Sequence, residues 1–338
     1  MPSLYSTSIS QDFHRHFSRR GIAATVATTV VAAFTSAFTS AFTMAGAASE
    51  SAGARPTATQ SRPESGAVAV APFHGFLLDR GRFTTLDVPG SAKTVIGRGN
   101  NRGQIVGGYT DRSGEHGFVR DKRGQLTRID VPGASGTSAS QINDHGDIVG
   151  YYSQTGSLED PNVKRHGFLL RRSRFTSIDV PGAVQTQVFG INDAGHMVGD
   201  YLNADGSFHG FVAQRGRFTS LDVPDAAGTS AAAINNGGRI VGSYIDAAAA
   251  RLHGYLLSEG NYTTFDAPGF QVTVPFGINN HGQVVGTAYS DPAAPTGRGF
   301  LLRRGIGGPV TLIDFPRAAG TVVNGINDHG RISGAYLR

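Results

Sequence analysis

His74, His116, His166, His209 and His253 each open a His-Gly-aromatic tripeptide, and Arg298-Gly299-Phe300 stands in a sixth equivalent place. Asp87, Asp130, Asp179, Asp222, Asp266 and Asp314 follow in register, each ahead of a Val-Pro, Ala-Pro or Phe-Pro pair. Imidazoles and carboxylates are the side chains of acid–base catalysis and of zinc sites. Repetition argues against both readings. A zinc–nitrogen bond is about 2 Å long, whereas equivalent residues on outer strands stand about 10 Å outside the innermost strand of each repeat. Each histidine is therefore expected to bond the backbone of its own repeat, and each aspartate to cap its turn. His145, His281 and His329 lie in turns and read as solvated, although the last two fall in adjacent repeats. No metal site and no cofactor are expected. Cysteine is absent, which removes thiolate chemistry. No nucleophile elbow, Walker loop, His-Glu-x-x-His or EF-hand loop occurs.

Departures from the repeat are better candidates for a site. The residue before Ile-Asn is Gly190, Ala233, Gly277 or Gly325 in four copies, but Arg98 and Gln141 in two. One residue earlier, Ser140 and Asn324 are polar where Phe189, Ala232 and Phe276 stand elsewhere. Arg98, Ser140, Gln141 and Asn324 thus form a candidate ligand-binding sector lining a central channel. The alternative is that they bond channel water or buried backbone. A second departure is the insertion at 153–165, which carries Glu159 and Asp160. Loops of unequal length on a rigid scaffold are where function usually sits.

The elements that hold these residues follow from the period. The tripeptides are spaced by 42, 50, 43, 44 and 45 residues. Within each copy come the aspartate, a threonine (Thr94, Thr137, Thr186, Thr229, Thr273 or Thr321) and a turn of the kind Ile142-Asn143-Asp144-His145-Gly146. A tyrosine then follows: Tyr109, Tyr152, Tyr201, Tyr244, Tyr289 or Tyr336. The second copy contains four β-type runs, at 138–142, 147–152, 166–171 and 174–180. Asn-Asp-x-Gly is expected to supply left-handed hairpin positions, and Val-Pro-Gly a type II turn. Four strands per repeat of about 44 residues predict an all-β, six-bladed β-propeller over 72–338, with four antiparallel strands per blade. If the threonine strand is innermost, the chain starts and ends mid-blade. The N- and C-terminal strands would then share one blade and close the ring.

The His-Gly-Phe, Phe-Thr-x-Ile-Asp-x-Pro-Gly, Gly-Ile-Asn-Asp-x-Gly and Ile-Val-Gly-x-Tyr motifs resemble the HAF-type extracellular repeat proteins of bacteria, over 73–338. The resemblance implies export and a propeller-like fold, and brings no catalytic residues with it. Gly99 for Ile, Asp225 for Gly, Arg298 for His, and Phe315-Pro316-Arg317 for Val-Pro-Gly depart from the pattern.

Residues 1–47 read as an export signal: a basic segment, an uncharged stretch from 21 to 44, then Ala45-Gly46-Ala47. Ser18-Arg19-Arg20-Gly21-Ile22 resembles a twin-arginine signal. Residues 48–71 read as a disordered lead-in. The net charge is +5, spread over every repeat, so nucleic acid is not an expected partner. After signal cleavage a secreted monomer with no membrane association is expected. It would bind an extracellular glycan, small polar ligand or protein at the channel face. The absence of tryptophan leaves only Tyr and Phe to stack on sugars. Two alternatives are a secreted lyase or hydrolase centred on Arg98, and a structural or adhesive surface protein, favoured if the N-terminal segment is an uncleaved anchor.

Overall fold

The computed structural model describes residues 73–249, 251–291 and 296–338; the expected signal and lead-in lie outside them. Every regular element described is a β-strand. The first two are β1 (Phe73–Asp79) and β2 (Arg82–Thr85). Unit 1 contains β3 (Lys93–Gly99), β4 (Ile105–Asp111), β5 (Gly114–Arg120) and β6 (Leu126–Ile129). Unit 2 contains β7 (Gly136–Ile142), β8 (Ile148–Ser153), β9 (Arg165–Arg171) and β10 (Arg174–Ile178). Unit 3 contains β11 (Gln185–Ile191), β12 (Met197–Leu202), β13 (Phe208–Gln214) and β14 (Arg217–Leu221). Unit 4 contains β15 (Ala226–Ile234), β16 (Ile240–Asp246), β17 (Leu252–Ser258) and β18 (Asn261–Phe265). Unit 5 contains β19 (Val272–Ile278), β20 (Val284–Tyr289), β21 (Arg298–Leu302) and β22 (Val310–Ile313). The last two are β23 (Gly320–Ile326) and β24 (Ile332–Leu337), and they pair with the first two in the order β2-β1-β24-β23.

The repeats predict six separate sheets. The pairing gives four independent four-stranded sheets and one of eight, because units 1 and 2 are joined by a parallel bridge, Glu115↔Gly136. The insertion of unit 2 draws these strands together. A Cβ on Gly136 would lie 2.8 Å from Glu115 Oε2 and 3.1 Å from Leu158, so only glycine permits the approach.

Sequence chemistry explains the joints between units. The backbone N–H after each repeat aspartate donates to the threonine of the next inner strand: Val88 to Thr94, Val131 to Thr137, Val180 to Thr186, Val223 to Thr229, Ala267 to Thr273 and Phe315 to Thr321. In the Val-Pro-Gly turns the third residue has positive φ, as expected. Asp225 and Arg317 adopt it too, at 62° and 63°, a conformation that costs a side-chain-bearing residue roughly 1–2 kcal/mol. The Asn-Asp-x-Gly expectation needs correction: only the glycine is left-handed, as at Gly146, φ 85°. The asparagine instead links neighbours. Its Nδ2 donates to the next unit's asparagine carbonyl, from Asn100 through Asn143, Asn192, Asn235, Asn279 and Asn327 back to Asn100. Its Oδ1 accepts backbone N–H groups of its own turn, as Asn143 does from His145 and Asp147.

The histidines and aspartates pair with each other, not with backbone and turn separately. Nδ1 of His74, His166 and His209 lies 2.8, 3.0 and 2.7 Å from Asp87, Asp179 and Asp222. Each ring also stacks on a repeat tyrosine, as His166 does on Tyr152 at 5.3 Å. Unit 5 departs in both partners. Ala288 is opposite Arg298, so Tyr289 is one position out of register and faces the core. With no tyrosine ring to stack upon, Arg298 replaces histidine and pairs directly with Asp314. Inside, Phe76, Phe118, Phe168, Phe211, Tyr255 and Phe300 are almost wholly buried, one per unit. Each contributes roughly 1.5–3 kcal/mol of apolar burial.

Candidate functional site

The inner strands β3, β7, β11, β15, β19 and β23 converge with little room between them. A Cβ on Gly325 would fall 2.7 Å from Arg98 Cγ, and one on Gly190 3.1 Å from Ala233 Cα. The longest side chain at this level is Arg98. Its guanidinium donates to the carbonyls of Phe189, Phe276 and Asn324, with a longer contact of 3.4 Å to Gln141 Oε1. These acceptors come from four different units and none is titratable. Burial lowers the guanidinium pKa to about 9, still cationic at neutral pH.

The four expected site residues are thus brought together, but mainly to bond one another's framework. Asn324 donates to the Ile96 carbonyl, and Gln141 accepts from the Ile191 N–H. Arg98, Ser140 and Asn324 line one cavity on the threonine side of the channel; Gln141 lines another, at the asparagine mouth. Arg98's donors are met by backbone carbonyls, which matches the alternative of bonding buried backbone.

A second cavity lies beneath the insertion, and the sequence reading did not assemble it. It spans about 540 Å³, open solvent included, and shares Gly108, Ser138 and Tyr151 with the channel cavity. Glu115 holds the insertion in place, accepting from Ser157 Oγ at 2.8 Å and the Leu158 N–H at 2.6 Å. Lys93 of unit 1 reaches Glu159 of the insertion at 2.7 Å. Burial lowers the Lys93 pKa, and Glu159 opposes that shift.

Arg165 forms part of the wall. It is 2% exposed, and its Nη2 donates to the Leu158 and Asp160 carbonyls, while Nη1 has no partner. Behind the wall, Asp200 accepts from Ser230 Oγ at 2.8 Å and more weakly from Gln187. Burial raises the Asp200 pKa to about 7, with the two hydrogen bonds and Arg165 opposing. Among the described residues no basic side chain is within ion-pair distance of it.

The signal for this cluster was present at three other repeat positions. Before the histidine stand Phe73, Phe208, Leu252 and Gly297, but Glu115 and Arg165 in units 1 and 2. Before the residue that faces the histidine, or Arg298, stand Gly108, Ser243, Thr287 and Ala335, but Tyr151 and Asp200 in units 2 and 3. After the threonine stand Val95, Val274 and Val322, but Ser138, Gln187 and Ser230 in units 2, 3 and 4. Charge and polarity therefore concentrate on one arc of neighbouring units.

Asp200 sets a pH dependence with a definite sign. A carboxyl raised from about 4 to about 7 on folding stabilises the native state at low pH, and this contribution is lost as pH rises through 7. At roughly 1.4 kcal/mol per pKa unit, the loss between pH 5 and pH 8 is about 2–3 kcal/mol. Asp200→Asn keeps an acceptor for Ser230 but cannot ionise. Its melting temperature should exceed that of the native protein most at pH 8, by less at pH 5, and match it near pH 3. Destabilisation by a constant amount across that range would instead mean that Asp200 is ionised and paired.

No protein-family profile and no curated protein matches the chain. Among solved structures, a putative TolB from Agrobacterium tumefaciens superposes with a TM-score of 0.57 at 11% identity, covering 80% of this chain and 99% of that one. TolB from Acinetobacter baumannii superposes with a TM-score of 0.51 at 11% identity. That match covers 79% of this chain and only 63% of the other. The fold is a β-propeller. At this identity the likeness establishes architecture alone, and the propeller's function must be argued from its own cavities.

Proposed function

We propose that this propeller is an extracellular binding module that takes a glycan or small polar ligand in the cavity beneath the 153–165 insertion. The observation that carries the reading is Arg165: a buried guanidinium in the cavity wall, with one nitrogen lacking any partner. A buried unmet donor costs about 1–3 kcal/mol, more when charged. A ligand carboxylate, carbonyl or hydroxyl oxygen would recover that cost on reaching Nη1, which is itself buried. Tyr109 and Tyr151 supply the aromatic faces that the missing tryptophans cannot. Lys93, Glu115 and Glu159 add polar groups at the rim.

The scaffold is read as six blades around one axis, with the eight-stranded sheet serving as two of them. The unbroken circuit of six asparagines supports this count, as does the shared sheet of the chain ends. Secretion, a monomeric state and membership of the HAF-type repeat proteins belong to the same proposal. They rest on the N-terminal sequence and on the repeated motifs.

Thr110 lines the cavity and is half-buried, so Thr110→Trp would fill the space without touching the channel. Panels of neutral glycans, polyuronates and small polar ligands should yield a binder that the native protein retains without releasing product. Thr110→Trp should weaken it by about tenfold or more, roughly 1.4 kcal/mol, with an unchanged melting temperature. Product release would favour the lyase or hydrolase alternative. A binder retained equally by the variant would move the site elsewhere.

A further inference from the structure

At the opposite, asparagine end of the channel, the seam between β3–β6 and the terminal sheet opens into a third cavity of about 310 Å³. Arg102, Arg120, Lys122, His329 and Arg331 line it, and no carboxylate does. Arg331 is partly neutralised by Asp79 at 2.8 Å. Arg102, Arg120 and Lys122 make no side-chain hydrogen bond or ion pair among the described residues. Gly103 stands between two of the cations: a Cβ there would make ordinary contact with Lys122 Cβ at 3.4 Å and Arg331 Nη1 at 4.0 Å.

Arg120 shows that this charge is not framework. In the strand ladders it faces Ile105, the first residue of the second strand. The residues in the same register elsewhere are Leu78, Leu170, Ala213, Leu257 and Leu302. Five units place an apolar side chain there, and one places a guanidinium at a cavity that already holds four other basic side chains. Arg102, Arg120 and Lys122 repel one another, with Asp79, paired to Arg331, as a nearby counter-charge, and an anion relieves that repulsion.

The geometry points to a second binding site, for a ligand that carries two or more oxyanion groups. The shared chemistry is carboxylate, sulfate or phosphate, presented to guanidinium forks and an ammonium. The cavity exceeds the need of a single inorganic ion and falls within the range of ordinary small-ligand sites. Asn101, Gln104 and Asn327 in its wall can bond neutral parts of the same molecule.

Calorimetric titration of the full secreted chain with pyrophosphate, trigalacturonate and sucrose octasulfate, at low and at physiological salt, tests this and separates the three sources. At least one probe should bind, more weakly as salt screens the charges. Arg120→Leu installs the residue found in sister units, so its melting temperature should not fall, while affinity drops about tenfold or more. Combining it with Arg102→Ala should deepen the loss. Thr110→Trp should leave the titration unchanged, which keeps this site separable from the one beneath the insertion. The proposal is overturned if no probe binds at low salt, or if the double variant binds as the native protein does. It is equally overturned if only single-stranded DNA binds with the same sensitivity to Arg120→Leu.

Discussion

Deletion of residues 73–90 is expected to leave no folded protein. The segment contains β1 and β2, and β1 pairs along its length with β24, from Phe73↔Leu337 to Leu78↔Ile332. Removing it exposes the β24 edge and empties the space of Phe76, which is fully buried among Val323, Ile332 and Tyr336. It also removes the ring of His74 from Tyr336 and the Val88 N–H from Thr94. Loss of one buried phenylalanine alone costs about 3–5 kcal/mol. Whole domains are stable by roughly 5–15 kcal/mol. Several such losses together exceed that margin, and the exposed strand edge then favours aggregation. Size exclusion and circular dichroism melting give the readout. A soluble variant with a cooperative melt near the native temperature would show that the termini do not close the structure.

Arg98→Ala should lower stability by about 2–4 kcal/mol, although sister units carry Gly or Ala at the same position. The substitution removes three hydrogen bonds from a charged donor, to the Phe189, Phe276 and Asn324 carbonyls, and a hydrogen bond to a charged group contributes about 1.5–3 kcal/mol. Two effects moderate the sum. Water can enter from the cavities on either side, and a desolvated charge is removed. The melting temperature should fall by roughly 5–10 °C. Gln141→Ala should cost less, because its bonds to Arg98 and Ile191 are long, at 3.4 and 3.3 Å. An unchanged melt for Arg98→Ala would mean that the guanidinium is not what holds the inner strands together.

The framework was legible because six copies agree on it. The threonine, the aspartate and the asparagine recur since each makes one joint, repeated around the molecule. Partner identity was less legible. The spacing of His and Asp reveals a conserved register within each repeat but not that the two side chains meet across neighbouring strands. Tyr289 was readable in the motif: two residues, Thr287 and Ala288, separate it from Gly286 where the other units have one, and a one-residue shift turns a side chain to the other face of a strand. The eight-stranded sheet was also hidden, because the Glu115↔Gly136 bridge depends on where the insertion folds back.

The candidate site was half legible. Comparing copies was the right operation, but at the position before Ile-Asn it found a channel plug. Arg98 bonds the carbonyls of three other inner strands, at Phe189, Phe276 and Asn324, so it departs from the repeat for structural reasons. Away from the axis, the departures Arg165, Tyr151, Gln187 and Asp200 have no such duty. They gather beside an insertion that only the folded chain brings to them.

The central claim is that the channel arginine is scaffold and the cavity beneath the insertion is the site. Titrating one panel-identified ligand into Arg98→Ala and Thr110→Trp, below the melting range of both, tests it most directly. Arg98→Ala should melt several degrees lower yet bind within about twofold of the native protein, while Thr110→Trp melts normally and loses about tenfold or more in affinity. The reverse pattern, with binding lost in Arg98→Ala and kept in Thr110→Trp, would contradict the account and return the ligand to the channel.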